Sequence, residues 1–276
     1  MPQSLVRVSV TMDESRAEGA LTLPSRGRLR AEVVIVLGLS LGQAAIYAAI
    51  RLIERYLAPA PIGSQTSTLN PSQSAINYVD LLIQVLRIGF SLMPVALALY
   101  LLSANGTGAL KRLGLTGRGR VWWSDIGWGF GLAAAIGIPG LGLYAVGRAL
   151  GQSVKLNTSG LPDQWWAAAI LLLSAAAAAI LEEVIVVGFL VTRLRDLRWS
   201  VPAVIIASAL LRGCYHLYQG WPMALGNVVM GLVFAYVYVR RGRLAPLIVA
   251  HMLLDAVAFI GPEVIPAHVL EGLGIT

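Results

Sequence analysis

Residues 164–190 read QWWAAAILLLSAAAAAILEEVIVVGFL, 27 residues whose only charges are two adjacent glutamates. A helix needs about 20 mostly apolar residues to cross the hydrocarbon of a bilayer. Six further apolar runs occur, at roughly 31–53, 76–102, 124–148, 200–218, 221–239 and 243–261. The chain is 57% hydrophobic and only 13% charged, against about 25% charged residues in a soluble domain. These runs predict an all-α fold, a polytopic transmembrane helical bundle of seven to eight spans in an integral membrane protein. Pro94, Pro139 and Pro246 fall in or near the runs, which membrane helices tolerate. The glycine-rich stretch GWGFGLAAAIGIPGLGLYAVG suits close helix packing in lipid.

The net charge of +7 would suit nucleic acid, but the basic residues stand in the wrong places for that. They gather in alternate loops: Arg7, Arg16, Arg26, Arg28 and Arg30; Lys111, Arg112, Arg118 and Arg120; Arg193, Arg195 and Arg198; Arg240, Arg241 and Arg243. By the positive-inside rule these loops and the N-terminus are cytoplasmic, and the plasma membrane is the expected location. The bilayer, with its anionic lipid heads, is then the partner of the charge, and no nucleic acid is expected. The chain divides into a polar tail over 1–30, membrane helices over 31–150, a membrane core over 160–261 and a short tail over 262–276. The first 30 residues show no short apolar segment with a cleavage site, so no signal peptide is expected. Cys214 is alone and reads as a small buried hydrophobe. Trp122, Trp123, Trp165, Trp166, Trp199 and Trp221 stand near span ends, where tryptophan anchors the interface.

Ionisable residues within a bilayer are costly, so each asks for a function. Arg87, in LLIQVLRIGFSLM, could be a snorkelling or helix-pairing residue, and a structural role weighs evenly against a functional one. The others cluster in three spans: Glu182 and Glu183, Arg212 and His216, His251 and Asp255. Members of the last two pairs are four apart and share a helix face. Adjacent residues point about 100° apart, so Glu182 and Glu183 cannot both aim squarely at one atom. One faces a reacting centre while the other supports it or meets another helix. Such pairs can also simply glue helices together, but three pairs on three spans favour a shared polar cavity.

These residues lie in EEVIVV (182–187), RGCYH (212–216) and HMLLD (251–255). The set resembles the CPBP family, the CAAX-protease and bacteriocin-processing group of intramembrane peptidases. Its motifs are E-E-x-x-x-R, F-x-x-x-H and H-x-x-x-N or D on successive membrane segments. The resemblance covers about residues 160–260. It implies an endopeptidase hydrolysing a membrane-associated or CAAX-like protein or peptide. Carried over, Glu182 and His216 activate the attacking water with Glu183 beside them, and His251 and Asp255 stabilise the oxyanion. It leaves the cofactor open: Glu182, Glu183, His216 and His251 could ligate a divalent metal such as zinc, or no metal is used. The zincin pattern H-E-x-x-H is absent.

Two positions depart from the motifs: Val187 stands where the pattern has Arg and Arg212 where it has Phe. Asp255 takes the acidic option of the third motif. Arg212, one turn before His216, is expected to supply from the neighbouring helix the guanidinium that Val187 lacks, neutralising Glu183. Asp255 has three possible roles: a protonated donor, an orienter of His251 or a metal ligand. A scaffold, immunity or regulatory protein that keeps the fold without catalysis is the alternative. A transporter that uses the buried charges as an ion path is a third reading.

Overall fold

The computed structural model describes residues 24–103, 108–157, 160–161 and 163–264. The expected tails over 1–30 and 262–276 lie largely outside these residues. Where the first tail is described it is already helical. α1 spans Arg26–Gly38, capped by Ser25, whose hydroxyl accepts from the Arg28 amide. α2 (Leu41–Leu57) continues it after a 50° bend. α3 (Asn77–Ser91) and α4 (Met93–Ser103) make one long passage. A single turn, α5 (Ala109–Arg112), leads to α6 (Arg120–Ala149), which carries Pro139 inside it. α7 (Ala167–Glu182) runs through a π-helical segment, Glu183–Phe189, into α8 (Leu190–Asp196). α9 (Val201–Tyr215), α10 (Trp221–Arg241) and α11 (Ala245–Val264) follow.

Packing divides these helices into a centre and a rim. The span over 167–196 is apolar on every side, as a helix surrounded by others should be. More than half of its most apolar window, 56%, is buried inside the bundle, against 17% for 77–103 and for 120–149. α11 packs on α6 and α7, α10 on α9, and α2 on α9. Rim helices present Ile46, Phe90 and Ile138 outward, each more than half exposed. Large apolar surfaces of this kind are not stable in water. They make this an integral membrane protein.

The two ends of the bundle differ. At one, Arg193 donates to the Leu101 carbonyl at 2.8 Å and pairs with Glu32 at 2.7 Å and Asp196 at 3.0 Å. Arg112 grips Asp196 at 2.7 Å, and Arg243 pairs with Asp125. That carboxylate raises the Arg243 guanidinium above its ordinary range. Loop basicity thus has a second role that topology alone did not suggest. Arg193 is 1% exposed and ties α1, α4 and α8 together. At the other end, β1 (Thr66–Thr68) and β2 (Lys155–Asn157) form a short parallel ladder. Arg148 donates there to the Gly63 and Ser153 carbonyls.

Each of the seven expected runs is helical over most of its length. Among the described residues, four helices are long and apolar enough to cross a membrane, or five if the bent α1–α2 pair counts as one. α9, with 15 residues, is shorter than the roughly 20 a perpendicular crossing takes. Two smaller expectations fail. Cys214 is exposed, because it lies on the α9 face turned away from the helix partners of Arg212 and Gly213. Trp166 is 3% exposed and packs inside rather than anchoring an interface.

Small residues set how closely α9 and α10 approach. A Cβ on Gly231 would lie 2.7 Å from Ala209 Cα and 3.4 Å from Arg212 Cβ. Gly231→Ala should therefore push the helices apart and cost about 1–3 kcal/mol. A lowered thermal midpoint in detergent checks it.

Candidate active site

The π-helical segment holds the first carboxylates. Its sequence EVIVVGF places four β-branched residues in succession after Glu183, and such residues crowd the preceding α-helical turn. A π turn bonds i to i+5 and recurs at functional sites. Two hydroxyls take up carbonyls along it: Ser208 Oγ donates to Val186 O at 2.9 Å, and Thr192 Oγ1 to Gly188 O at 2.6 Å. Every residue from Glu183 to Phe189 is buried.

Arg212 enters from α9 between the two carboxylates. Its Nη2 pairs with Glu183 Oε1, and its Nη1 lies 3.3 Å from Glu182 Oε2. Arg212 and Glu183 have no exposed side-chain surface, and Val187 is fully buried nearby in the same π segment. A guanidinium therefore faces Glu183 from α9, and Val187 offers none. The Arg212 guanidinium also stacks on Phe234, 5.5 Å from the ring centre.

The histidines differ in how firmly they are held. His251 Nδ1 lies 2.7 Å from Glu183 Oε1. An ionised carboxylate only accepts, so Nδ1 carries the proton. The other nitrogen, Nε2, then faces Glu182 Oε2 at 3.8 Å and Asp255 Oδ2 at 3.6 Å. His216 sits just past the end of α9, with Nε2 3.7 Å from Glu182 Oε2. Neither of its nitrogens has a hydrogen-bond partner although both are buried. Distances of 3.6–3.8 Å are too long for direct hydrogen bonds. His216 and His251 thus converge on Glu182 with room between them, and Asp255 stands behind His251.

One participant had no role assigned from the sequence. Tyr215 donates its hydroxyl to Glu182 Oε2 at 2.7 Å and is 5% exposed. Its signal was available, since it stands three residues after Arg212 and so shares that residue's side of the helix. The two glutamates do point apart, as adjacent helical residues must. Arg212 bridges the angle and touches both.

A metal fits this arrangement badly. The Arg212 guanidinium occupies the space between the carboxylates, and Glu183 Oε1 is already shared by Arg212 and His251. Among the described residues, no group of three His, Cys, Asp or Glu side chains is disposed to hold a metal ion.

Residues 164–257 match the family model described as Rce1-like, type II CAAX prenyl endopeptidase Rce1-like. This segment is similar to the Rce1-like family. It contains all three motifs, and the match agrees with the CPBP resemblance that they carry. It begins just before α7 and ends within α11, so the helices that bring Glu182, Arg212, His216, His251 and Asp255 together are those of the matched segment. No curated protein and no solved structure matches the chain.

Proposed function

We propose that the protein is an intramembrane endopeptidase in which Glu182 and His216 activate water. The observation that carries this reading is the approach of His216 and His251 to Glu182 at 3.7 and 3.8 Å, with Asp255 3.6 Å from His251, inside a segment similar to the Rce1-like family. Water is a poor nucleophile until a base takes its proton. In the proposed step Glu182 accepts that proton while the water oxygen bonds to the scissile carbonyl carbon. His216 orients the water and shares the proton. The carbonyl oxygen gains a negative charge, met by His251 Nε2 when the imidazole is doubly protonated. Preorganised donors in a dry site are the effective way to hold such charge. Collapse breaks the C–N bond, and the proton on Glu182 or His216 leaves with the amine. Glu183 and Arg212 are the supporting pair. Glu183 fixes the His251 ring, and Arg212 neutralises Glu183. No step is routed through a metal.

The substrate class is a peptide or membrane protein, CAAX-like or otherwise, met at the bilayer. The proposed location is the plasma membrane, with the N-terminus and the Arg-rich end cytoplasmic. The test compares the membrane proteomes and released peptides of cells with wild-type and Glu182→Ala protein. A membrane protein cleaved only in the wild type is the expected result.

Asp255 gives a sharper check. Its Oδ2 is 3.6 Å from His251 Nε2, where a neutral amide would serve as well as a protonated acid. Asp255→Asn is expected to retain cleavage and Asp255→Ala to lose it by about 10²-fold, the scale of one oxyanion donor. Loss in both variants would assign the negative charge itself a role.

A second reading has one observation of its own. Glu182 Oε2 already takes the Tyr215 hydroxyl and an Arg212 nitrogen, so one oxygen of the base is committed to structure. A scaffold, immunity or regulatory protein would keep such a cluster for helix pairing alone. It would bind its partner equally well after Glu182→Ala.

A further inference from the structure

Arg87 has no part in the site above. It lies ten residues into α3, about 15 Å along the helix, and its side chain is exposed. Among the described residues its guanidinium meets no carboxylate. Nη1 donates to Gln73 Oε1, a neutral acceptor. Asp80 shares its helix face but is already engaged. Its Oδ2 accepts from Ser72 Oγ at 2.8 Å, and its Oδ1 from the Gln73 amide at 2.8 Å and from Gln84 Nε2 at 3.3 Å. Gln73 and Gln84 both donate to the Pro71 carbonyl, at 2.7 and 3.0 Å. These bonds staple the 71–73 loop over α3 and leave an unneutralised cation beneath it.

That cation lines a groove of about 220 Å³ between α3 and α7. Arg87, Gln84 and Ser91 on α3 face Ser174 on α7, and Ala178 and Leu181 form an apolar continuation. The neighbouring Leu86 and Phe90 are exposed on the outer surface. Leu181 faces the groove, whereas Glu182 is turned about 100° away toward α9 and α11. The groove is therefore separate from the candidate active site.

A lone guanidinium below the interface is costly unless an anion meets it. Arginine matches phosphate oxygens in a bidentate fork. We propose that this groove binds a membrane phospholipid with an anionic head group, its phosphate on Arg87 and an acyl chain along Ala178 and Leu181. A lipid suits it better than a soluble anion, because half the groove is apolar and its flank is the lipid-facing surface.

The test uses the full chain in neutral detergent, with bound lipid counted by native mass spectrometry. Phosphatidylglycerol should outcompete phosphatidylcholine by about fivefold, the scale of one arginine near an anionic lipid. Arg87→Gln should remove that preference, Arg87→Lys should keep much of it, and Glu182→Ala should leave it untouched. Full preference in Arg87→Gln overturns the proposal. So does displacement of phosphatidylglycerol by inorganic phosphate or by an acidic peptide at matched concentration, which would assign the groove to a soluble anion or to a protein.

Discussion

Glu182→Ala and His216→Ala should each reduce cleavage by about 10²–10⁴-fold, the contribution of a positioned general base. The expected loss is in turnover rather than in folding. His216 makes no protein hydrogen bond through its ring, so its removal takes away no structural bond. Glu182 gives up contacts to Tyr215 and Arg212, but Arg212 keeps its pair with Glu183. Residues acting as one unit are not additive, so the double variant should be barely slower than the worse single one. Cleavage in reconstituted vesicles and thermal midpoints of the same preparations check both halves. Wild-type turnover in either variant would remove that residue from the proposed catalytic role.

Arg212→Leu is expected to have the largest effect on stability. It removes the guanidinium that pairs with both Glu182 and Glu183 and takes away the cationic partner of a carboxylate with no surface exposed. Breaking a buried pair from one side typically costs about 3–5 kcal/mol, while replacing both partners by uncharged groups is often nearly neutral. Glu183→Gln in the Arg212→Leu background should therefore recover much of the lost thermal midpoint. The double-mutant cycle reads the coupling directly. If Arg212→Leu alone unfolds no more readily than wild type, Arg212 does not compensate for Val187, and the charge relationship between the two helices fails.

The helices and the clustering of the buried charges were legible for the same reason. Burying a charge in lipid is so costly that six ionisable residues in three apolar runs had to find one another, and the motif arginine missing at Val187 pointed to Arg212 as the partner of Glu183. The rest was hidden by weaker signals. A tyrosine in a greasy run looks like core, so Tyr215 passed without a role. Arg193 looked like its exposed loop neighbours Arg195 and Arg198, because nothing local distinguishes a buried arginine whose acids come from Glu32 and Asp196. Cys214 and Trp166 were judged by residue type, while the helix face decided their surroundings. The π turn has no sequence periodicity of its own. It arises because the two halves of one span are held by different partners.

Those two halves have a consequence for how the site tolerates change. The half above the π turn is seated against α11 and α3, and the half below it is pinned through Arg193. Neither half is free to rotate. The surplus residue between them works as an angular shim, and the direction of Glu183 is set by how many residues the segment contains more than by which ones. Swapping one aliphatic residue for another between 184 and 187 disturbs packing alone. Deleting one would return the segment to α-helical phase and swing the carboxylates by about a quarter turn against a fixed Arg212. In this stretch of the chain, length is a more strongly constrained property than composition.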